Sequence, residues 1–209
     1  MSTLPARLLD GYRQFRGGRY REEANRYADL AGGQAPKTMI VGCADSRVDP
    51  STIFSAAPGE LFVVRNVANL VPPCIAASAS LHGTSAALEF AVTALGISDI
   101  VVMGHGGCGG VAASLAGAED KPVGQFIAPW VSLLDEARDR VIAKAPDDRQ
   151  TALEHEGVRQ SLSNLMSFSF IEERVEDGRL SLHGAWFAIG SGELHWLNRD
   201  TGAFETVAA

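Results

Sequence analysis

Three runs of apolar residues predict the strands of a parallel sheet. They are KTMIVGCADS (residues 37–46), ELFVVRNVAN (residues 60–69) and DIVVMGH (residues 99–105). None of them alternates strictly between apolar and polar positions, which is typical of strands that are covered on both faces. Stretches of helical pattern separate them, including the amphipathic segment TSAALEFAVTALG, which ends at Gly96. The pattern therefore predicts an α/β fold with a mostly parallel central β-sheet and helices on both faces.

The two ends of the chain add a helical arm and a late strand to this picture. Two segments that end in Gly-Gly each predict one short helix: LLDGYRQFRGG and REEANRYADLAGG. We expect residues 1–34 to form an N-terminal helical arm of a single domain that covers residues 1–209. Residues 128–177 have a helical pattern, and SLHGAWFAIGSGELHWL predicts a late hairpin that adds a strand to the sheet edge.

Composition narrows the class of protein and of partner. Hydrophobic residues make up 46% of the 209 residues and charged residues 21%, an ordinary globular balance. The net charge of −7 argues against a nucleic-acid partner, and no apolar run is long enough to span a bilayer. The N-terminus lacks the apolar stretch of a signal peptide, and three cysteines do not indicate a disulfide framework. We expect a cytoplasmic protein that binds neither nucleic acid nor membrane.

Metal-binding side chains occur where two of the predicted strands end. Cys43 ends the first strand, His105 ends the third, and Cys108 begins the helix that follows. Ligands of α/β proteins bind beyond the carboxyl ends of the strands, so neighbouring strands would bring these three side chains together. Asp45 and Arg47 leave the first strand at the same edge. Two thiols and an imidazole suit zinc, and three protein ligands leave the fourth position open, as in catalytic sites.

Two other interpretations of this segment stay open. Gly104, Gly106 and Gly109 form G-x-G-x-x-G between a strand and a helix, the pattern of a dinucleotide-binding loop. That interpretation is the weaker one, because no acidic residue ends a following strand about 20 residues later. Alternatively, Cys43 or Cys108 is a nucleophile with His105 as its base. Cys74, in VPPC, has no second ligand motif near it and is expected to be structural or incidental.

CADSR followed by HGGC resembles the signature of the β-class carbonic anhydrases. The resemblance runs from about residue 34 to residue 197, and several segments agree in the same order. They are GGQAPKTMIVGCADSRVDP, APGELFVVRNVANLVPP, SAALEFAV, IVVMGHGGCGG and NLMSFSFIEERVEDGRLSLHGAWFAIGSGEL.

This resemblance implies a zinc lyase, carbonate dehydratase, that hydrates carbon dioxide reversibly to bicarbonate and a proton. It implies one zinc ion per chain, held by Cys43, His105 and Cys108, with water or hydroxide as fourth ligand. The zinc-bound hydroxide attacks carbon dioxide while Asp45 accepts its hydrogen bond, and Arg47 pairs with Asp45. Relatives of this fold hydrolyse carbonyl sulfide or carbon disulfide with the same zinc ligands, and the motif does not separate these activities.

The resemblance also implies a substrate cleft shared between subunits. Family members are dimers in which the partner lines each cleft, so a homodimer or a dimer-based higher oligomer is expected. The positions that match substrate-binding residues are Gln34, Phe62, Val67, Phe90 and the backbone N–H of Gly109. The plant-like pattern has Tyr where this chain has Phe90, so one hydroxyl is missing from the cleft.

Within the family, this chain resembles the plant-like subclass with an open site. A regulated subclass closes its site with the residue matching Asp45, and marks its bicarbonate pocket with a Trp, an Arg and a Tyr. Here Ile40 stands at the Trp position and Phe187 about where the Tyr falls, although Arg65 is present. Gln34 also matches the plant-like pattern. We therefore expect Asp45 to stay bound to Arg47.

Overall fold

A single six-stranded sheet forms the centre of the computed structural model, which describes residues 4–75, 82–119 and 121–208. Its strands are β1 Thr38–Cys43, β2 Leu61–Asn66, β3 Asp99–His105, β4 Ser181–Ala188, β5 Glu193–Leu197 and β6 Phe204–Thr206. Their order across the sheet is β2-β1-β3-β4-β5-β6. The first four in this order are parallel, and β5 and β6 are antiparallel to their neighbours. The α/β class and the mostly parallel sheet are confirmed.

Helices occupy most of the connections between the strands. Three precede the sheet: α1 Ala6–Gly17, α2 Arg19–Glu22 and α3 Ala24–Leu30. The others are α4 Pro50–Ile53, α5 Gly83–Glu89, α6 Gly109–Gly117, α7 Ile127–Val131, α8 Asp135–Lys144, α9 Arg149–Leu165 and α10 Ser169–Glu176. A π-helical segment, Phe90–Leu95, continues α5, and 3-10 turns cover Val67–Asn69 and Ser132–Leu134. No helix within the described residues is long and apolar enough to cross a membrane.

The chain divides into two compact units, Met1–Ala35 and Pro36–Ala209. The first holds α1 to α3, where the rings of Phe15, Tyr20 and Tyr27 pack with centroids 4.9–5.8 Å apart. The predicted second helix is two helices, because Glu23 between them leaves helical geometry (φ −102°, ψ 23°). The single domain over residues 1–209 stays a prediction.

Burial on both faces explains why β1 and β3 are continuously apolar. Alternate residues of each strand point to opposite faces of the sheet. One face packs against α5, α9 and α10 through Met39, Val41, Ile100 and Val102. The other face carries Ile40, Val101 and Met103, which pack with Ile53 and Phe54 at the end of α4. The core thus fixes the two central strands, whose ends carry the predicted ligands.

Two strand predictions need correction at their ends. The second strand stops at Asn66, since Ala68 (φ 65°) and Asn69 (φ 49°) adopt left-handed backbone geometry that no strand continues. The late hairpin is present as β4 and β5, but β4 lies inside the sheet beside β3. The outermost strand is β6, because a turn at residues 198–203 brings the chain back against β5.

The helix predicted to end at Gly96 does end there, but in π-helical rather than α-helical form. Gly96 has a left-handed φ of 64°, the geometry that commonly ends a helix at glycine. The preceding six residues form the π-helical segment, which begins at Phe90. Nothing in the amphipathic pattern distinguishes the two helix types.

Candidate metal centre

Two neighbouring parallel strands bring the predicted metal ligands to one edge of the sheet. β1 ends at Cys43 and β3 ends at His105, and the two strands pair in parallel up to Gly42 and Met103. Cys108 is the N-cap of α6, three residues beyond His105. The prediction that these strands are neighbours is confirmed.

The ligand atoms of Cys43, His105 and Cys108 all lie within 4.8 Å of one another, and all three residues are buried. The two Sγ atoms are 3.9 Å apart. Two sulfurs at about 2.3 Å from a tetrahedral zinc ion lie about 3.8 Å apart. The cluster therefore has the dimensions and the donor set of a zinc site.

The imidazole of His105 is oriented as a metal ligand. Its Nδ1 lies 3.0 Å from the carbonyl oxygen of Gly106, so Nδ1–H donates there and the Nε2 lone pair is free. His105 is only 1% exposed, and its Nε2 has no hydrogen-bond partner among the described residues. A buried polar atom without a partner costs about 1–3 kcal/mol. A metal ion at Nε2 would provide the missing partner.

Without a metal ion, Cys43 loses its proton much more easily than Cys108, so the pair holds one proton. The hydrogen bond from the Cys108 thiol lowers the pKa of Cys43, to about 4. The Cys43 thiolate, together with burial, raises the pKa of Cys108 well above its usual range. Two adjacent buried thiolates therefore need a cation, and a divalent ion that binds both releases the remaining proton.

Asp45 lies beside this cluster and is held by Arg47. The guanidinium donates from Nε to Oδ1 at 2.9 Å and from Nη2 to Oδ2 at 2.6 Å, and the Arg47 backbone N–H also donates to Oδ1 at 2.9 Å. These bonds hold the pKa of Asp45 well below its usual range. Oδ2 is 4.0 Å from Nε2 of His105, so an ionised carboxylate faces the ligand atoms.

Arg47 also connects the loops that carry the ligands. Its Nη2 donates to the carbonyl oxygen of Gly107 at 3.2 Å. Gly107 lies between His105 and Cys108, whereas Arg47 follows Cys43. One guanidinium thus links the segment after β1 to the segment after β3.

The residues predicted to bind substrate lie in different parts of the chain. Val67 packs against the apolar cluster that contains Cys43 and Cys108. The Phe62 and Phe90 rings pack together with centroids 5.9 Å apart, and Phe90 is 48% exposed. Gly109 is the first residue of α6 and is exposed. Gln34 belongs to the first unit, where it is exposed. Their contact with substrate stays a prediction.

Comparisons with known proteins identify the family. A family model described as carbonic anhydrase matches residues 38–194, which include all three ligand candidates. Over 188 residues the chain is 38% identical to β carbonic anhydrase 3 of Arabidopsis thaliana, covering 87% of this chain and 72% of the relative. The chain belongs to the β-class carbonic anhydrases.

Further members of this family are similar to the chain in sequence and in fold. β carbonic anhydrase 5 of Arabidopsis thaliana, a chloroplastic protein, is 38% identical over 173 residues, which are 81% of this chain. The chain spans only 56% of that relative's length. The β-carbonic anhydrase CcaA superposes with a TM-score of 0.89 at 30% identity, covering 97% of this chain and 92% of CcaA. A tetrameric β-carbonic anhydrase of Sordaria macrospora gives 0.82 at 32% identity, with coverages of 91% and 95%.

Packing explains two glycines of the G-x-G-x-x-G pattern. A Cβ at Gly104 would lie 2.9 Å from the Val158 side chain, and one at Gly106 would lie 3.1 Å from Trp186. These glycines let the end of β3 approach α9 and β4. The dinucleotide interpretation is therefore not needed to explain them.

The sequence analysis does not single out several residues that contact the candidate metal centre. Arg65, which the resemblance relates only to a regulatory pocket, donates to the carbonyl oxygens of Cys43 at 2.8 Å and of Asp45 at 2.5 Å. Glu154 and Gln150, both on α9, bind the backbone of Cys108. Their one sequence signal is the four-residue spacing on one helix, which is too common to single them out.

Proposed function

We propose that this chain is a zinc enzyme that converts carbon dioxide and water reversibly to bicarbonate and a proton. The observation that carries the proposal is the buried cluster of Cys43, His105 and Cys108, with its ligand atoms within 4.8 Å. Zinc bound there would lower the pKa of a water molecule and supply a nucleophile near neutral pH. Membership of the β-class carbonic anhydrases supports carbon dioxide as the substrate.

Asp45 is proposed to orient the attacking water. Its carboxylate is kept ionised by Arg47, so it can only accept hydrogen bonds. A water that donates one O–H to Asp45 has its reactive lone pair directed away from the carboxylate. Arg47 occupies the carboxylate with two parallel bonds, which keeps Asp45 from becoming a ligand of the metal. This arrangement supports the open-site subclass.

The substrate is proposed to lie beside apolar side chains and a backbone N–H group. Carbon dioxide has no net charge or dipole, so an apolar surface such as that of Val67, Phe62 and Phe90 suits it. The N–H of Gly109 belongs to the first turn of α6, whose N–H groups have no partner within the helix. We assign the Gly109 N–H the role of donor to a substrate oxygen. For the Gln34 side chain, the same role is what the family resemblance implies.

A homodimer or a dimer-based higher oligomer is proposed as the assembly. The tetrameric enzymes of Sordaria macrospora share the fold, and the exposed Phe90 ring would be covered by a partner subunit. A cytoplasmic location is proposed because Cys43, Cys74 and Cys108 are all free thiols, as is usual in a reducing compartment.

The test is zinc content and carbon dioxide hydration measured on one preparation. We expect about one zinc ion per chain, loss of hydration after removal of the ion with a chelator, and recovery when Zn²⁺ is returned. Hydration that survives full zinc removal would favour the thiol-nucleophile alternative instead. The same preparation, assayed with carbonyl sulfide and carbon disulfide, shows whether either is a better substrate than carbon dioxide.

A further inference from the structure

A buried carboxylate of α9 contacts the backbone of the proposed ligand Cys108. Glu154 is only 3% exposed. Its Oε1 accepts from the Cys108 backbone N–H at 2.9 Å, and its Oε2 accepts from the indole N–H of Trp186 at 3.0 Å. Gln150 donates to Oε1 as well, at 2.7 Å. Both oxygens of this carboxylate are therefore bound by uncharged donors.

Gln150 binds the backbone carbonyl group of Cys108. Its Nε2 donates to the Cys108 carbonyl oxygen at 3.0 Å. Gln150 and Glu154 are four residues apart on α9 and so lie one above the other on the same face of the helix. The N–H and the C=O of Cys108 are thus both bound by neighbouring side chains of α9, which also bind each other.

Fixing both backbone groups of a residue fixes the direction of its Cα–Cβ bond, from which the side chain extends. Cys108 is the N-cap of α6, with extended geometry (φ −69°, ψ 118°), and its carbonyl oxygen also accepts from the Ala112 N–H of that helix at 3.0 Å. With its N–H and C=O held, the Cβ direction is set, and Sγ points toward Cys43, 3.9 Å away.

We infer that Gln150 and Glu154 are positioning residues for the metal ligand Cys108, acting through its backbone. The inference rests on the proposed zinc site. Outer partners that orient ligands commonly contribute 10-fold to 100-fold to metal affinity. Here the partners act on the main chain of a cysteine instead of on an imidazole ring.

The test uses variants of similar shape that remove the hydrogen bonds. Gln150→Met and Glu154→Met keep the length of each side chain and remove its polar end. Zinc affinity is measured by competition with a chromophoric chelator, and Co²⁺ is bound to each protein so that its thiolate absorption bands report the ligand geometry. We expect zinc affinity to fall about 10-fold to 100-fold in both variants and the Co²⁺ bands to change.

Matched controls come from the same helix. Gln160→Met removes the hydrogen bonds to Arg140 and Asn164. Glu156→Met removes the ion pairs with Arg140 and Arg159. None of these contacts involves Cys108. Both controls should keep zinc affinity within about twofold of the unchanged protein.

Conservative substitution separates positioning from charge. Glu154→Gln can keep an oxygen on the Cys108 N–H, but its NH2 then faces the Trp186 N–H, which is also a donor. It should therefore bind zinc more tightly than Glu154→Met and more weakly than the unchanged protein. Gln150→Met changes no charge, so its effect cannot come from a lost attraction to the cation.

The outcomes distinguish the inference from a structural role and from failure of the zinc site. A purely structural role lowers the melting temperature of the zinc-free variants but leaves the zinc affinity of the folded protein unchanged. Unchanged affinity in Gln150→Met, whose side chain is only half-buried, would overturn the inference even if Glu154→Met does not fold. If the unchanged protein binds no zinc, the proposed function itself is wrong, and the inference falls with it.

Discussion

At the residue scale, Arg47 decides where the Asp45 carboxylate points. Asp45 Oδ2 lies 4.0 Å from His105 Nε2 in the structure. Replacing Arg47 by Ala removes both guanidinium bonds and leaves the carboxylate free to turn toward the ligand atoms. We expect Arg47→Ala to keep zinc but to lower kcat for carbon dioxide hydration about 10-fold to 100-fold. Arg47→Lys keeps the charge but not the paired bonds, so its kcat should lie between that of the unchanged protein and that of Arg47→Ala. Loss of zinc from Arg47→Ala would contradict this role.

The three cysteines allow the same substitution to be compared inside and outside the candidate metal centre. Cys43→Ser and Cys108→Ser each replace a thiolate by a neutral hydroxyl, so we expect zinc affinity and hydration to be lost together, each by about 100-fold or more. Cys74→Ser is the matched control, since Cys74 is exposed and lies outside the cluster. Metal analysis and hydration rates of the three variants are compared. Full zinc occupancy in either cluster variant would remove that cysteine from the ligand set.

Local sequence predicted the ligand candidates but not the residues that hold them. Cys43, His105 and Cys108 occur in short motifs at strand ends, where fold rules place a site. Glu154 is 46 residues from Cys108, and Arg65 is 22 residues from Cys43. Such contacts depend on how α9 and β2 pack, and periodicity along the chain does not contain that information.

At the element scale, the 3-10 turn after β2 and the start of α6 are in close contact. A Cβ at Gly110 would lie 2.6 Å from Val67 Cγ1 and 2.9 Å from Ala68 Cβ. Gly110→Ala should therefore lower the free energy of unfolding by about 1–3 kcal/mol, because the turn must move. The measurement is urea unfolding of the zinc-free protein.

Gly109→Ala is the control for this contact. A Cβ at Gly109 meets nothing within 4 Å, and Ala favours a helix over Gly. It should leave stability unchanged or raise it slightly. Equal losses in the two variants would show that helix geometry, and not the contact with the turn, is responsible.

The sequence predicts the elements that have a strong local pattern, such as an apolar run or a glycine stop. It does not predict an element that forms only because another part of the fold pairs with it. β1 and β3 follow from apolar runs, and the helix stop at Gly96 follows from glycine. β6 has only three residues and exists because β5 offers an unpaired edge. A strand that short has no periodicity of its own, so its partner determines it.

At the scale of the whole molecule, we expect His155 to make the free energy of unfolding depend on pH. Its ring stacks on Phe204 of β6 at 4.2 Å and meets Trp186 of β4 edge-on at 5.1 Å. Burial, with the nearby charges of Arg159 and His195, lowers its pKa from 6.5 to about 4. His155 is therefore neutral in the folded protein at pH values where the unfolded chain is already protonated.

The sign of the effect follows from proton binding. Between pH 6.5 and 4 the unfolded state binds more protons, so the free energy of unfolding falls as the pH falls. Because His155 is only half-buried, we expect a contribution of about 1–2 kcal/mol rather than the full value. Urea unfolding of the zinc-free protein at pH 7 and pH 4.5 measures it. His155→Phe should lose that much less stability over the interval, and an identical loss in both proteins would rule His155 out as the source.

The ligand candidates lie on two strands that are far apart in the chain, and this sets the order in which the site can be assembled. Cys43 and Cys108 are 65 residues apart, and they meet only when β1 pairs with β3. A growing chain that has not yet reached Cys108 lacks one of the two thiols, and the Glu154 contact requires 46 more residues. Contacts this distant form late in folding, after the local helices. If the cluster holds zinc as proposed, the complete site therefore requires a chain that has been synthesised at least as far as α9.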